Sequence, residues 1–371
     1  MTQYERVRAA LLGEPTDRPP VIGGWVCQED FLVTMSHVTR DEFWKNPYAH
    51  ATTAYKNAGA DALVQFVLPK RETEATQGEY GRPTNFGKQE ERAEDRFPTL
   101  ESVIEWVRKQ PTIDEVRRTF DAKKAYDGYL SVVHERDDIA PMVWIPGHVC
   151  GCPPFMWYSY LGYENYFAGM MEAPEVFERF FAMEGEQRRL QNVEVARAIR
   201  ENGLLPLLYF GEDICYSSGP MCSPRLLREI YFPHLARAME PLVEAGIISV
   251  WHSDGNIMPI IDDLIRCGVD GFQGLEEDHG MSLETLAGMT NWNGVPLVLW
   301  GSVSVTSTLP HGSVEDVRKD VKRCIDIGAR RGGRLFLAPS SSVGPEVPTE
   351  NIVEFFRFGR EYGLEAYGGG R

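Results

Sequence analysis

Short apolar runs recur along this chain, each bounded by Gly, Pro or charged residues. Eight of them, at residues 21–25, 61–68, 142–146, 205–210, 247–252, 271–274, 296–301 and 334–338, have the length and β-branched or aromatic content of buried strands. Amphipathic stretches with helical spacing separate most of them. The longest covers 174–203. Another, 223–245, opens on Ser223-Pro224, a capping residue followed by Pro at the first helical position. Further helices are predicted over 256–267, 282–289 and 314–327. The last, 349–362, is expected to stop at Gly363. Strand-then-helix repeated eight times predicts an α/β fold, a (β/α)8 TIM-type barrel, forming one domain over 1–371. A doubly wound sheet is the runner-up, but no Gly-x-Gly-x-x-Gly follows any strand. Residues 70–140 break the rhythm: they are charged, and hold only modest helical patterns at 100–109 and 112–125. They read as an insertion that decorates the mouth of the barrel.

Composition narrows the function. The 371 residues are 43% hydrophobic, enough for a sizeable core, and carry a formal net charge of -16 from 54 acidic and 38 basic residues. Phosphate contacts need basic surface, so nucleic acid and anionic membrane are poor partners. No run approaches the ~20 apolar residues that span a bilayer. The charged first twenty residues do not resemble a signal peptide, so a cytoplasmic enzyme with a small-molecule substrate is expected. Seven cysteines, an odd number without an export signal, argue against a disulfide framework.

Chemistry concentrates at strand ends, where parallel α/β proteins place it. His252 and Asp254 close the run Gly246-Ile247-Ile248-Ser249-Val250-Trp251 at a Gly255-Asn256 turn. Glu212 and Asp213 follow the run ending Tyr209-Phe210-Gly211. Either carboxyl could serve as general acid or base, its pKa raised by its neighbour's charge. Glu212, Cys215 and His252, with Asp254, are also acceptable metal ligands, although no tight spacing supports such a site. His148 lies in Gly147-His148-Val149-Cys150-Gly151-Cys152, which reads either as a Gly-rich turn or as part of a metal site. Glu276 follows the sixth strand. Trp25, Tyr209 and Trp300, at or near strand ends, suit an apolar or ring-bearing substrate. Arg225 and Arg334 are candidate anchors for a carboxylated one.

The order of motifs resembles the uroporphyrinogen decarboxylase superfamily over nearly the whole chain. Its marks are Glu5-Arg6-Val7-Arg8 with Asp17-Arg18-Pro19-Pro20, Gly211-Glu212-Asp213 with Ser223-Pro224, and His252-Ser253-Asp254-Gly255-Asn256. Gly268-Val269-Asp270-Gly271, Leu299-Trp300-Gly301-Ser302, Leu337-Ala338-Pro339-Ser340 and Val347-Pro348-Thr349-Glu350-Asn351 complete the series. The resemblance implies a TIM-type barrel. Decarboxylases of this family carry an Arg-Gln-Ala-Gly-Arg segment after the first strand and an Asp after a Phe at the end of the second. Here those places read Gly23-Gly24-Trp25-Val26-Cys27-Gln28 and Gln65-Phe66-Val67-Leu68-Pro69. The chain is therefore closer to the corrinoid-dependent methyltransferase branch. That branch implies a corrinoid on a partner protein and, in its thiol-activating members, zinc held by His-x-Cys and a distant Cys. The His matches His252, the first Cys matches Asp254, and the second falls near Ser341. With both thiols absent, a thiol acceptor is not expected. The implied reaction moves a methyl group between a small substrate and the corrinoid; the alternative is a decarboxylase or lyase acting on a carboxylated ring or tetrapyrrole. The resemblance leaves monomer and homodimer open.

Overall fold

A computed structural model describes residues 1–69 and 96–368. All eight predicted strands are present: β1 (Ile22–Gly23), β2 (Ala62–Val64), β3 (Val143–Ile145), β4 (Leu207–Gly211), β5 (Ile248–His252), β6 (Gly271–Gln273), β7 (Val298–Trp300) and β8 (Leu335–Phe336). They pair in parallel, but not as one closed sheet. β1-β2-β3 form one sheet and β8-β7-β6-β5-β4 another. The seams carry isolated parallel bridges, Val21 to Leu337 and Val26 to Val343 at one and Gly147 to Tyr209 at the other.

The two-residue period of the strands sorts side chains into two populations. Ile22, Ala62, Val64, Ile145, Leu207, Tyr209, Val250, Val298, Trp300 and Phe336, drawn from both sheets, form one buried cluster. Their neighbours Leu63, Leu208, Phe210, Trp251, Phe272, Leu299 and Leu335 join the larger cluster. The first helix, Gln3–Leu12, adds Val7, Ala10 and Leu11 to the inner cluster. Its Arg6 is tied to the start of β2 through Asp61. Asp61, 1% exposed, also accepts both terminal nitrogens of Arg18 and the Val21 N–H.

Three helical expectations need correction. The 223–245 stretch is two helices, Pro224–Ile230 and Phe232–Glu244, because Pro233 follows Phe232 and cannot donate into a continuous helix. The 256–267 stretch is shortened to a 3-10 turn, Met258–Ile260, and the helix Ile261–Arg266. The final helix does not stop at Gly363 but runs Thr349–Gly368. There glycine serves close approach: a Cβ at 363 would stand 3.0 Å from the Arg18 Cβ.

The 70–140 segment is described only in part. Its part at 70–95 lies outside the described residues. The remainder forms the helices Leu100–Arg108, Ile113–Thr119 and Ala122–Val133. These pack against the long helix Pro174–Asn202. Arg179 donates to the Val107 and Arg108 carbonyls, and Arg117 pairs with Glu186. Among the described residues, no helix is long and apolar enough to cross a membrane.

Candidate functional site

β4 and β5 run side by side, Gly211 opposite His252. A Cβ on Gly211 would fall 1.9 Å from the His252 carbonyl oxygen, so only glycine lets the two strand ends approach this closely. Strand parity then decides which polar groups meet. Tyr209 faces inward and Phe210 outward; the alternation turns Glu212 outward and Asp213 inward. On β5, Val250 and His252 face inward and Trp251 outward.

The inward groups converge. One ligand atom each from Asp213, His252 and Asp254 lies within 4.8 Å of the others. His252 Nε2 stands 3.7 Å from Asp213 Oδ1, too long for a hydrogen bond but within the span of two ligands on one ion. The Asp254 N–H donates to Asp213 Oδ1 at 3.1 Å, which locks the two loops together. Asp254 Oδ1 is buried and has no hydrogen-bond partner. Burial raises the pKa of Asp254, and nearby Asp213 and Glu276 raise it further; His252 and a Ser341 hydrogen bond oppose them.

Gln273, at the end of β6, fixes the state of His252. Its Oε1 lies 2.6 Å from His252 Nδ1 and accepts the Tyr209 hydroxyl at 2.9 Å. Its Nε2 faces the Ser340 carbonyl at 3.5 Å, so the amide oxygen must be the atom that faces His252. Nδ1 therefore carries a proton, and Nε2 is the ring nitrogen turned toward the two aspartates. His148 repeats the arrangement. Its Nδ1 lies 3.2 Å from the Gly211 carbonyl, which only a protonated nitrogen can satisfy. Its ring stands 5.8 Å from that of His252. Burial holds the His148 pKa down at about 4, with the His252 charge acting in the same direction, so the ring is neutral at pH 7.

Aromatic rings line the site from below. Tyr209 stacks on Trp300 with centroids 5.2 Å apart, and Trp25 lies 5.9 Å from Tyr209. Trp25 Nε1 donates to Gln65, whereas Trp300 Nε1 is buried without a partner. Glu276 accepts the Gly255 N–H at 2.8 Å and braces the turn that carries Asp254.

Other residues singled out from the sequence stand elsewhere. Glu212 does not join the cluster. Its Oε2 accepts the Phe155 and Met156 N–H groups, each at 2.8 Å, and Cys152 Sγ lies 3.9 Å from its Oε1. It anchors the loop after β3. Cys215 sits in a two-stranded hairpin of Cys215–Tyr216 and Gly219–Pro220, its thiol pushed by burial up to about 12. It is not among the clustered ligand atoms. Cys150 and Cys152 are buried, and Gly151 between them is clamped by Asn192. Arg225 is exposed and pairs with Glu229, while Arg334 precedes β8 at the opposite, amino ends of the strands. The residue that sequence reasoning missed is Gln273. A polar side chain closing the buried run Gly271-Phe272 was its signal. Two surface clefts of about 550 and 690 Å³ contain none of the clustered residues.

Burial raises the pKa of Glu212 to about 7, against the two backbone donors that lower it. A raised carboxyl binds its proton more tightly in the folded chain. Its contribution is full below about pH 4.5 and fades as pH rises through about 7, a loss of about 3 kcal/mol. Urea unfolding of Glu212→Gln is expected to lack this slope between pH 5 and 8; a slope equal to wild type would assign it to other groups.

Comparison with known proteins agrees with this architecture. The model of the family uroporphyrinogen decarboxylase (URO-D) matches residues 132–362. No protein of curated function matches the sequence. Among solved structures, a methyltransferase from Methanosarcina mazei is similar with a TM-score of 0.60 and 20% identity, over 98% of this chain and 99% of that one. At that identity the likeness speaks for the fold alone. The family match spans well over half the chain and includes β3 to β8, with Asp213, His252 and Asp254, so the chain belongs to the uroporphyrinogen decarboxylase family.

Proposed function

We propose that this protein is a metal-dependent methyltransferase that moves a methyl group between a small substrate and a corrinoid carried by a partner protein. The observation that carries the reading is the meeting of Asp213, His252 and Asp254 at the carboxyl ends of β4 and β5. Family membership and the likeness to an archaeal methyltransferase support it. We take the eight strands as a single (β/α)8 barrel. The seam bridges and the inner cluster shared by both sheets favour that reading.

The three side chains fit a divalent cation. Two carboxylates and one imidazole are an acceptable donor set for zinc, and three protein ligands leave a position for substrate. The buried, unpartnered Asp254 Oδ1 is a group that an ion would satisfy. A bound zinc would supply Lewis acidity toward the substrate heteroatom. Oxygen and nitrogen donors in place of thiolates suit an ether or amine better than a thiol.

The protein's own groups would do the rest. Gln273 holds His252 in the ligating tautomer, and Asp213 fixes the Asp254 loop. His148 presents a neutral Nε2 that accepts a hydrogen bond from the substrate. Tyr209, Trp300 and Trp25 form an apolar floor that excludes water. Ser341 and Glu276 hold Asp254 in place.

The decarboxylase alternative needs cations to anchor carboxylate arms. Arg225 and Arg334 do not provide them here. Mixing the zinc-loaded chain with a corrinoid protein and a panel of methyl amines and ethers is expected to change the cobalt absorbance with one donor. No change with any donor, together with CO2 release from a carboxylated ring compound, would overturn the proposal in favour of a lyase.

A further inference from the structure

At the amino end of β8, opposite the site above, two arginines stand without an ion pair among the described residues. Arg334 is 7% exposed. Its side chain makes no hydrogen bond or ion pair among the described residues, and its Nε is shut off from water. Arg331 donates through Nη2 to the Leu297 carbonyl at 2.7 Å, but its Nε and Nη1 are buried and unpartnered. The two lie at one place. The Arg334 carbonyl accepts the Leu299 N–H at 3.0 Å, so both residues border the entry to β7. Tyr367 completes the group. Its hydroxyl is buried without a partner and crowds Gly328, whose carbonyl accepts the Gly333 N–H that closes the turn. Exposed Gly332 opens this turn to solvent.

Buried charges are ordinarily paired, since an unpaired one costs several kcal/mol. Burial and mutual repulsion push Arg331 down to about 10, yet a guanidinium does not shed its proton near neutral pH. The acid nearest in effect, Asp270, is committed to Asn291 and to the Ser249 N–H, and makes no ion pair with Arg334. Arg334 also holds a left-handed φ of 58°, a conformation costly for a side chain of this size. A chain that only needed packing here would be more stable with Met or Leu at both positions.

We infer that Arg331, Arg334 and the Tyr367 hydroxyl form an anion-binding site, for a phosphate or carboxylate group of a small molecule, at the amino ends of β7 and β8. Guanidinium forks match such oxyanions in geometry, and the phenol adds a neutral donor. The site is separate from the metal cluster, and it stands whether or not the proposed methyl transfer is correct.

The test uses the full chain stripped of metal with EDTA, so that no ion at the carboxyl ends captures the probe. Equilibrium dialysis against radiolabelled inorganic phosphate at low ionic strength is expected to show about one phosphate per chain. Arg331→Met and Arg334→Gln should each weaken binding about tenfold or more. Phosphate should raise the unfolding midpoint of wild type above a sodium chloride control of equal ionic strength, and not that of the variants. If Arg334→Gln fails to fold, Arg331→Lys, which keeps the charge and loses the fork, should still weaken binding. No phosphate bound by wild type, or equal binding by wild type and variants, would overturn the inference.

Discussion

Replacing His252 by alanine is expected to lower zinc affinity by about a hundredfold or more and to abolish methyl transfer. The imidazole is the only neutral ligand of the proposed set, and Gln273 holds its Nδ1 side so that Nε2 faces the two aspartates. Gln273→Leu should act at a distance. It removes the acceptor for both His252 Nδ1–H and the Tyr209 hydroxyl, so the ring loses its fixed tautomer and the phenol is left buried without a partner. Outer partners of this kind are worth about 10–100-fold in metal affinity. Metal content after dialysis against a graded chelator series measures both. Equal zinc retention by wild type and His252→Ala would sink the metal assignment, whatever the activity assays show.

The second large effect concerns stability. Asp61→Ala is expected to cost about 3–5 kcal/mol, because it strands the Arg18 guanidinium in the interior, leaves Arg6 with Asp17 as its one carboxylate partner and leaves the Val21 N–H unsatisfied. The damage should extend beyond the pair itself. Asp61 joins the first helix, β1 and β2, and its backbone carbonyl accepts the Val143 N–H at the start of β3. Combining Asp61→Ala with Arg18→Met should recover part of the loss, since the stranded charge is removed. Urea unfolding of the single and double variants measures the coupling. A loss under about 1 kcal/mol for Asp61→Ala would mean that the network contributes specificity rather than stability.

How much of this was legible beforehand depends on the kind of information each feature needs. The strands were readable because apolar runs between Gly and Pro mark burial locally. His252 and Asp254 were readable because they close such a run at a turn. Glu212 and Asp213 were found as a pair but not told apart. Adjacent residues at a strand end face opposite ways, and only counting by twos from Tyr209 separates the inward Asp213 from the outward Glu212. Counting would also have flagged Gln273, which shares inward parity with Gly271. Cys215 stands outside the cluster because the short local hairpin over Cys215–Pro220 takes it out of the alternation of β4. The solitude of Arg331 and Arg334 was invisible, since whether a charge is paired depends on residues far away in sequence. The split at Tyr231 and the continuation through Gly363 show the same limit. A Pro or Gly marks an option, and packing decides whether it is taken.

The opposed orientations of Glu212 and Asp213 also bear on how this segment can change over time. Point substitutions between Tyr209 and Asp213 alter one side chain each. Gain or loss of a single residue there would exchange the two carboxylates, turning Asp213 toward the loop after β3 and Glu212 toward His252. Homologues should therefore keep the spacing across these five positions, with glycine at 211, while tolerating different lengths in the turn between Tyr216 and Gly219.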